Sequence, residues 1–384
     1  MDFGFNEDQM LFQEYVREFC QTELAPGYMQ RAKEEKVNPE ILKKMAEFGL
    51  FGFGIPEEYG GQGIMDYVAL GIALEEIGRA DFSLGYTVLT AGLVQQIMLK
   101  YGSDTVKEKY LRPYVNGDTY VGIGLTEPQC GNDAAAIRAT AHRDGDFYVL
   151  NGEKSSISFV TAPAHMIYAK TDPEAPGTSG ISAFIVPIDM DDPGVSRSIF
   201  GDIGCKPIVR GSLNFRNYRI PADNILGVEG GGFKYVMHGF DYSRAALGLM
   251  CLGAAQAALD DAISYAKQRT AFGQPIAAFQ GVSFPIAEDA TLIEACKLLC
   301  YRTLWMRQND IPHSKEAAMC KWWAPELSFN VCKHSLLTHG HTGYSDEVPQ
   351  AQRMVDVLGL EIGDGTANLM KLLVAQHLIG RGVR

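Results

Sequence analysis

"RDGDFYVLNGEKSSISF", residues 143–159, is where the chain changes its period. Two turn pairs, Asp144-Gly145 and Asn151-Gly152, stand around residues of strand-forming type, and such pairs beside alternating residues are the strongest short-range hairpin signal. "HMIYAKTD" (165–172), "ISAFIVPID" (181–189) and "GSLNFRNYRIP" (211–221) follow as short runs punctuated by proline and glycine. They predict a small β sandwich or barrel across residues 119–229.

Outward on both sides the pattern is helical. In "NEDQMLFQEYVREF" (6–19), Asn6 is the expected cap and Leu11, Tyr15, Val16 and Phe19 the expected apolar stripe. Asn38-Pro39 reads as the cap and first residue of a second helix that Gly49 ends. "IPEEYGGQG" (55–63) is a turn-rich loop, and "DYVALGIALEEIGRAD" and "SLGYTVLTAGLVQQIMLKYG" are long apolar helices suited to a core or a pocket wall. After "GVEGGGF" (227–233) helices return from "YSRAALGLMCLGAAQAALDDAISYAKQR" onward. The expected class is therefore multidomain α+β: helical over 1–118, β over 119–229, helical over 230–384. No G-x-G-x-x-G follows a strand and no strand–helix alternation occurs, so a doubly wound nucleotide fold is not expected.

Bulk properties narrow the function. With 384 residues, 46% hydrophobic and 21% charged, the chain has the composition of a globular protein with a large core. A net charge of −12 argues against nucleic acid, which calls for a basic face. No apolar run reads as membrane-spanning, and the acidic start "MDFGFNEDQM" reads as neither secretory signal nor transit peptide. The eight cysteines contain no C-x-x-C pair, so reduced thiols in the cytoplasm are expected rather than a disulfide framework or zinc ribbon. His339 and His341 in "THGHTGY" lack the acidic or cysteine neighbours of a metal site, and the glycines there suggest a loop.

"IGDGT" (362–366) sets a carboxylate between two glycines, ahead of the helical run "ANLMKLLVAQHLIG". Asp364 there is a helix N-cap, a plain turn residue or a catalytic carboxylate, and the local sequence leaves all three open. Six stretches in order decide among them: "PEEYGG" (56–61), "LTEPQCGND" (125–133), "LNGEK" (150–154), "EGGGF" (229–233), "QRTAFGQPIAAFQ" (268–280) and "IGDGT" itself. By these the chain resembles the acyl-CoA dehydrogenase flavoproteins along essentially its whole length.

The resemblance implies a middle β domain between a helical N-terminal domain and a C-terminal four-helix bundle, with FAD as cofactor. It implies cofactor contacts from Leu125, Thr126, Asn132, Ser156, Ile157 and Ser158. Arg269, Phe272, Gln280, Thr366 and Asn368 would hold the diphosphate and adenosine end. The segment 268–280 would reach into a neighbouring subunit, so an oligomer is implied, in this family usually a tetramer of two dimers. Asn132, Asp241, Arg244 and Gly365 would contact the acyl-CoA, with Asp241 and Arg244 three apart on one helical face. Two departures stand out: Ser156 replaces the usual flavin-facing tryptophan, removing a large apolar wall, and Asn132 replaces the usual serine.

The chemistry implied is removal of a proton from Cα of an acyl-CoA and of a hydride from Cβ to the flavin, giving a 2-enoyl thioester. Asp364 stands where most members have a glutamate in "EGT". Ser243, where other members place the base, is not one. Helix residues 84–95 contain no carboxylate, so 1,4-elimination on a cyclohexenyl ring has no candidate base there. Aspartate is one methylene shorter than glutamate, and its surroundings most resemble the cyclohexanecarboxyl-CoA type, whose tertiary α-carbon takes up the room. Phe82, Tyr86 and Thr87 are expected at the acyl end. Other readings are a short or branched aliphatic acyl-CoA, an oxidase, an enoyl-CoA reductase, or a non-catalytic flavin- or CoA-binding member. An electron transfer flavoprotein is the partner the resemblance implies.

Overall fold

In the computed structural model, which describes residues 4–380 and 382, three parts follow one another: helices, a β sheet, then helices. Helix α1 (Glu7–Phe19) is opened by Asn6, whose side chain accepts from the Gln9 N–H at 2.8 Å while Gln9 answers at 3.2 Å, a capping box. Its expected stripe is only partly right. Val16 is buried and Phe19 stacks on Phe48 at 4.5 Å, but Leu11 and Tyr15 are about half exposed. Helix α2 (Pro39–Glu47) starts on the Asn38 cap and is followed by Gly49 at φ +95°. Helices α3 (Tyr67–Ala80) and α4 (Phe82–Tyr101) meet at Asp81, which caps the start of α4 and holds Arg31 in a buried ion pair at 2.8 Å.

The middle part is an eight-stranded sheet of β1 (Val121–Gly124), β2 (Thr140–Asp144), β3 (Phe147–Ile157), β4 (Ala164–Lys170), β5 (Ile181–Pro187), β6 (Val195–Ile199), β7 (Gly211–Pro221) and β8 (Ile225–Leu226). Its order is β6-β7-β3-β2-β4-β5-β8, with β1 parallel to β4. Asp144-Gly145 turns β2 into β3 as the sequence predicts. Asn151-Gly152 does not turn the chain. It lies inside β3 as a bulge, with Gly152 at φ +129° and so close to the neighbouring strand that a Cβ would sit 2.7 Å from Ala139 Cα.

The C-terminal part packs α5 (Gly232–Gln268), α6 (Gln280–Gln308), α7 (Ser314–His339), α8 (Pro349–Ile362) and α9 (Ala367–Ile379). Helices α4 and α5 are long and apolar enough to cross a membrane, which the sequence reading did not expect; 78% of each apolar window is buried inside the fold. All eight cysteines are free and buried. His339 is helical rather than in a loop, with Nδ1 on the Ser335 carbonyl at 2.7 Å and its ring against Tyr265. Asp356 of α8 ties the three parts together: it accepts from Tyr28 Oη at 2.7 Å in the N-terminal part and from the Cys205 N–H at 2.6 Å in the sheet's last long loop.

Candidate active site

One cavity of about 890 Å³ opens where these three parts meet, within the roughly 300–1,000 Å³ usual for small-molecule sites. Its floor is the segment after β1. Leu125 and Thr126 sit there on a loop braced from below by a wholly buried ion pair, Lys154 Nζ to Glu127 Oε1 at 2.6 Å. The same carboxylate accepts the Arg138 and Ala139 N–H groups at 2.6 and 3.0 Å, and Lys154 also donates to the Leu125 carbonyl at 3.2 Å. With Gln129 Nε2 also donating to Glu127, the carboxylate has four donors and the ammonium two acceptors, the kind of satisfaction a buried charge pair requires. At the end of β3 a second irregularity puts Ser156 at φ +55°, and Ser156 and Ser158 line the cavity while Ile157 points into the sheet's core.

Asp364 lines the opposite wall. The helix cap at this point is Thr366, whose hydroxyl accepts from the Leu369 N–H, so Asp364 is not the N-cap of α9. It sits instead in the left-handed region at φ +56°, followed by Gly365 at φ +100°. Among the described residues its N–H finds no acceptor, leaving a donor free beside the carboxylate. Burial pushes the carboxyl above the ordinary carboxylate range, and Lys321, then Arg244 and Arg210, oppose that shift. Asn132 reaches across from the sheet domain to donate to Thr366 Oγ1 at 2.9 Å. Its amide therefore closes the wall rather than standing free.

Arg244 lines the cavity from α5, with Asp241 3.7 Å behind it, and its Nε is buried without a partner. Asp241, occupied by Ser314 Oγ at 2.8 Å, does not reach the cavity itself. At the far end Tyr86 lines it, but Phe82 and Thr87 do not. The sequence reading missed Arg210, which donates to Asp202 at 2.8 Å and to the Tyr86 hydroxyl at 3.1 Å and lies with them on the cavity wall. It also missed Lys321, beneath the Asp364 turn.

The flavin end of an FAD fits this cavity. Hydroxyls of Thr126, Ser155, Ser156 and Ser158 line its sheet side, and on the helical side the unpaired Arg244 Nε is a buried donor left for a second ligand. Of the residues expected at the other end of the cofactor, Thr366 lines this cavity and the rest are elsewhere. Arg269 and Gln280 are exposed, and Phe272 is 96% exposed at φ +52° on a two-stranded hairpin of residues 270–275 projecting from the body. Asn368 is exposed too and does not line the cavity. One chain thus builds one end of the site and holds the remaining residues out to solvent.

Three family models match in sequence: acyl-CoA dehydrogenase N-terminal domain over residues 6–118, middle domain over 122–218 and C-terminal domain over 230–379. The chain is 38% identical over 374 residues to the human mitochondrial short-chain specific acyl-CoA dehydrogenase, covering 97% of this chain and 90% of that one. It is 35% identical over 382 residues to a caffeyl-CoA reductase–Etf complex subunit of Acetobacterium woodii, covering 98% and 99%. Butyryl-CoA dehydrogenase of Megasphaera elsdenii superposes with a TM-score of 0.91 at 32% identity, over 99% of this chain and 100% of that one.

Proposed function

We propose, starting from the fact that the chain belongs to the acyl-CoA dehydrogenase family, that Asp364 is the base that takes the Cα proton of an acyl-CoA thioester. The protein is an oxidoreductase with FAD as its cofactor, consistent with α,β-dehydrogenation of acyl-CoA. Bound FAD supplies the acceptor for the hydride leaving Cβ. The observation that carries the assignment is the carboxylate of Asp364, held in the cavity on a left-handed backbone and faced by three cations. A base must lie within hydrogen-bond reach of the proton it takes, and the turn delivers a carboxylate to the cavity wall with the adjacent N–H unpaired. That N–H is suited to donate to the thioester oxygen, where negative charge grows as the proton leaves. Thr126, Ser156 and Ser158 would hold the flavin end, Thr366 the side toward the diphosphate and adenosine, and Arg244 the CoA.

For the acyl group we favour a compact alicyclic thioester such as cyclohexanecarboxyl-CoA. A base one methylene short leaves room for a tertiary α-carbon, and the far end is closed by Tyr86 and Arg210, which lie within 4 Å of where a Gly359 side chain would start. A long aliphatic tail meets polar groups there. A short straight or branched acyl-CoA is the second reading, favoured by the names of the human and Megasphaera relatives. An electron transfer flavoprotein is the proposed acceptor, in keeping with the Acetobacterium relative. The buried, free thiols suit a reducing cytoplasm.

The test is anaerobic flavin bleaching by a panel of acyl-CoAs, run on wild type and Asp364→Asn. Wild type is expected to bleach fastest with the cyclohexanecarboxyl thioester. Asp364→Asn should bind the same ligands yet bleach about 10²- to 10⁴-fold more slowly, the usual cost of losing a general base. Butyryl-CoA outpacing the ring substrate would transfer the assignment to the short-chain reading. Unimpaired bleaching by the Asn variant would remove Asp364 as the base.

A further inference from the structure

Beneath the Asp364 turn lies a lysine that no part of this chemistry has yet used. Lys321, on α7, is 1% exposed. Its ammonium donates to the Leu360 carbonyl at 2.7 Å and to the Gly365 carbonyl at 2.8 Å. Leu360 belongs to the last turn of α8, where carbonyls lose their helical partners and a cation is favoured by the helix dipole. Gly365 directly follows Asp364. One buried charge therefore grips both ends of the turn that presents the carboxylate.

The grip has something to hold. Asp364 and Gly365 are consecutive left-handed residues, a conformation that a non-glycine residue adopts at a cost. No carboxylate lies within ion-pair distance of Lys321 Nζ among the described residues, so the lysine is satisfied by the two carbonyls and by the longer-range field of Asp364. A lone buried ammonium is expensive, and an apolar residue of similar length would fill the same space in a packed core. The charged groups that act on Asp364 come from every side of it: Lys321 from α7, Arg244 from α5, Arg210 from the loop before β7, with the Tyr86 phenol of α4 near enough to feel the carboxylate. Lys321 is the strongest of the cations, and it alone is bonded to the backbone that carries the base.

We propose that Lys321 is the positioning residue of the proton-abstraction step: its two hydrogen bonds lock the 360–365 turn so that Asp364 faces the cavity. This rests on reading Asp364 as the base. Lys321 never contacts substrate in this scheme and acts only through Asp364.

The test uses Lys321→Met, Asp364→Asn and the double variant, each as the FAD-loaded protein. Exchange of the thioester α-proton with deuterated buffer, followed by NMR, measures the proton transfer without electron transfer. Bleaching, FAD content and thermal midpoint are read alongside. Lys321→Met is expected to slow α-exchange about 10²-fold, the scale of a roughly 1 Å misplacement, and to move the midpoint of its pH profile upward. In the Asp364→Asn background it should cost nothing further, because the two residues act through one group. Wild-type exchange with an unmoved pH midpoint would overturn the Lys321 role while Asp364→Asn stayed inactive. An active Asp364→Asn would instead overturn the base reading beneath it. If Lys321→Met fails to load FAD, Lys321→Gln, neutral but still a donor, is read in the same way. Loss of the fold in both would make the lysine a core cation and refute the proposal.

Discussion

Asp364 works against its surroundings at the scale of a single residue. Burial holds its carboxyl above the ordinary value of 3.8, and three cations only partly offset this. Two consequences share one sign. Below the raised value the carboxyl carries a proton and accepts none, so α-proton exchange by the wild type should rise with pH through a midpoint above 3.8. The folded state also binds that proton more tightly than the unfolded chain does, so the group's contribution to stability is greatest at low pH. It is lost as pH rises from 3.8 through the folded value. The ionised base is then a standing cost, and Asp364→Asn, which cannot ionise, should melt no lower than wild type at pH 7 to 8. A clear fall in its thermal midpoint there would mean that the charge stabilises the fold instead. Activity traded for stability at one carboxylate is the pattern expected of a functional site.

At the scale of elements, the loop between β1 and β2 owes its place to the Lys154–Glu127 pair, both side chains at 2% exposure or less. Removing one partner of such a pair leaves an uncompensated buried charge, typically costing about 3–5 kcal/mol. Lys154→Met should therefore lower the denaturation midpoint severely and loosen FAD binding with it, since Leu125 and Thr126 ride on that loop. Lys154→Met with Glu127→Gln should recover part of the loss. No recovery would point to packing of the lysine stem instead. Both residues stand in stretches whose sequence was informative, yet their pairing was not legible, because strand register decides it. The same limit explains Asn151-Gly152: locally it spells a turn, and only the approach of Ala139 makes it a bulge. Caps such as Asn6 and Asn38, and the Asp144-Gly145 turn, were legible because their partners lie within three residues. Asp364, Thr126 and Arg244, which sit in motifs, do line the candidate cavity. Arg210 and Lys321 were missed because nothing near them in sequence betrays what the fold sets beside them.

At the scale of the whole molecule, the hairpin of residues 270–275 carries the prediction of an assembly. Phe272 is almost wholly exposed on a left-handed backbone, an expensive way to present an aromatic ring to water. Nearby helices continue the theme, with Phe284, Leu292 and Leu298 on α6 and Leu337 on α7 all more than 40% exposed. Exposed apolar residues of this kind are the usual material of a contact face, and neither Phe272 nor Arg269, just before the hairpin, lines the cavity of its own chain. If a neighbouring chain's hairpin completes each FAD site, cofactor affinity must depend on assembly, because linkage couples the two equilibria. Arg269→Ala should then release FAD more readily while circular dichroism and thermal unfolding of the apoprotein stay close to wild type, since the guanidinium touches little in its own chain. The same coupling predicts that dilution of wild type lowers its FAD affinity and that added FAD resists dissociation of the oligomer, both visible by analytical ultracentrifugation with flavin absorbance. Arg269→Ala should flatten that dependence, because a subunit interface without its cofactor contact no longer senses FAD. FAD affinity that ignores protein concentration from micromolar to nanomolar would leave the exposed hairpin without this role and return Arg269 to an ordinary solvated helix end.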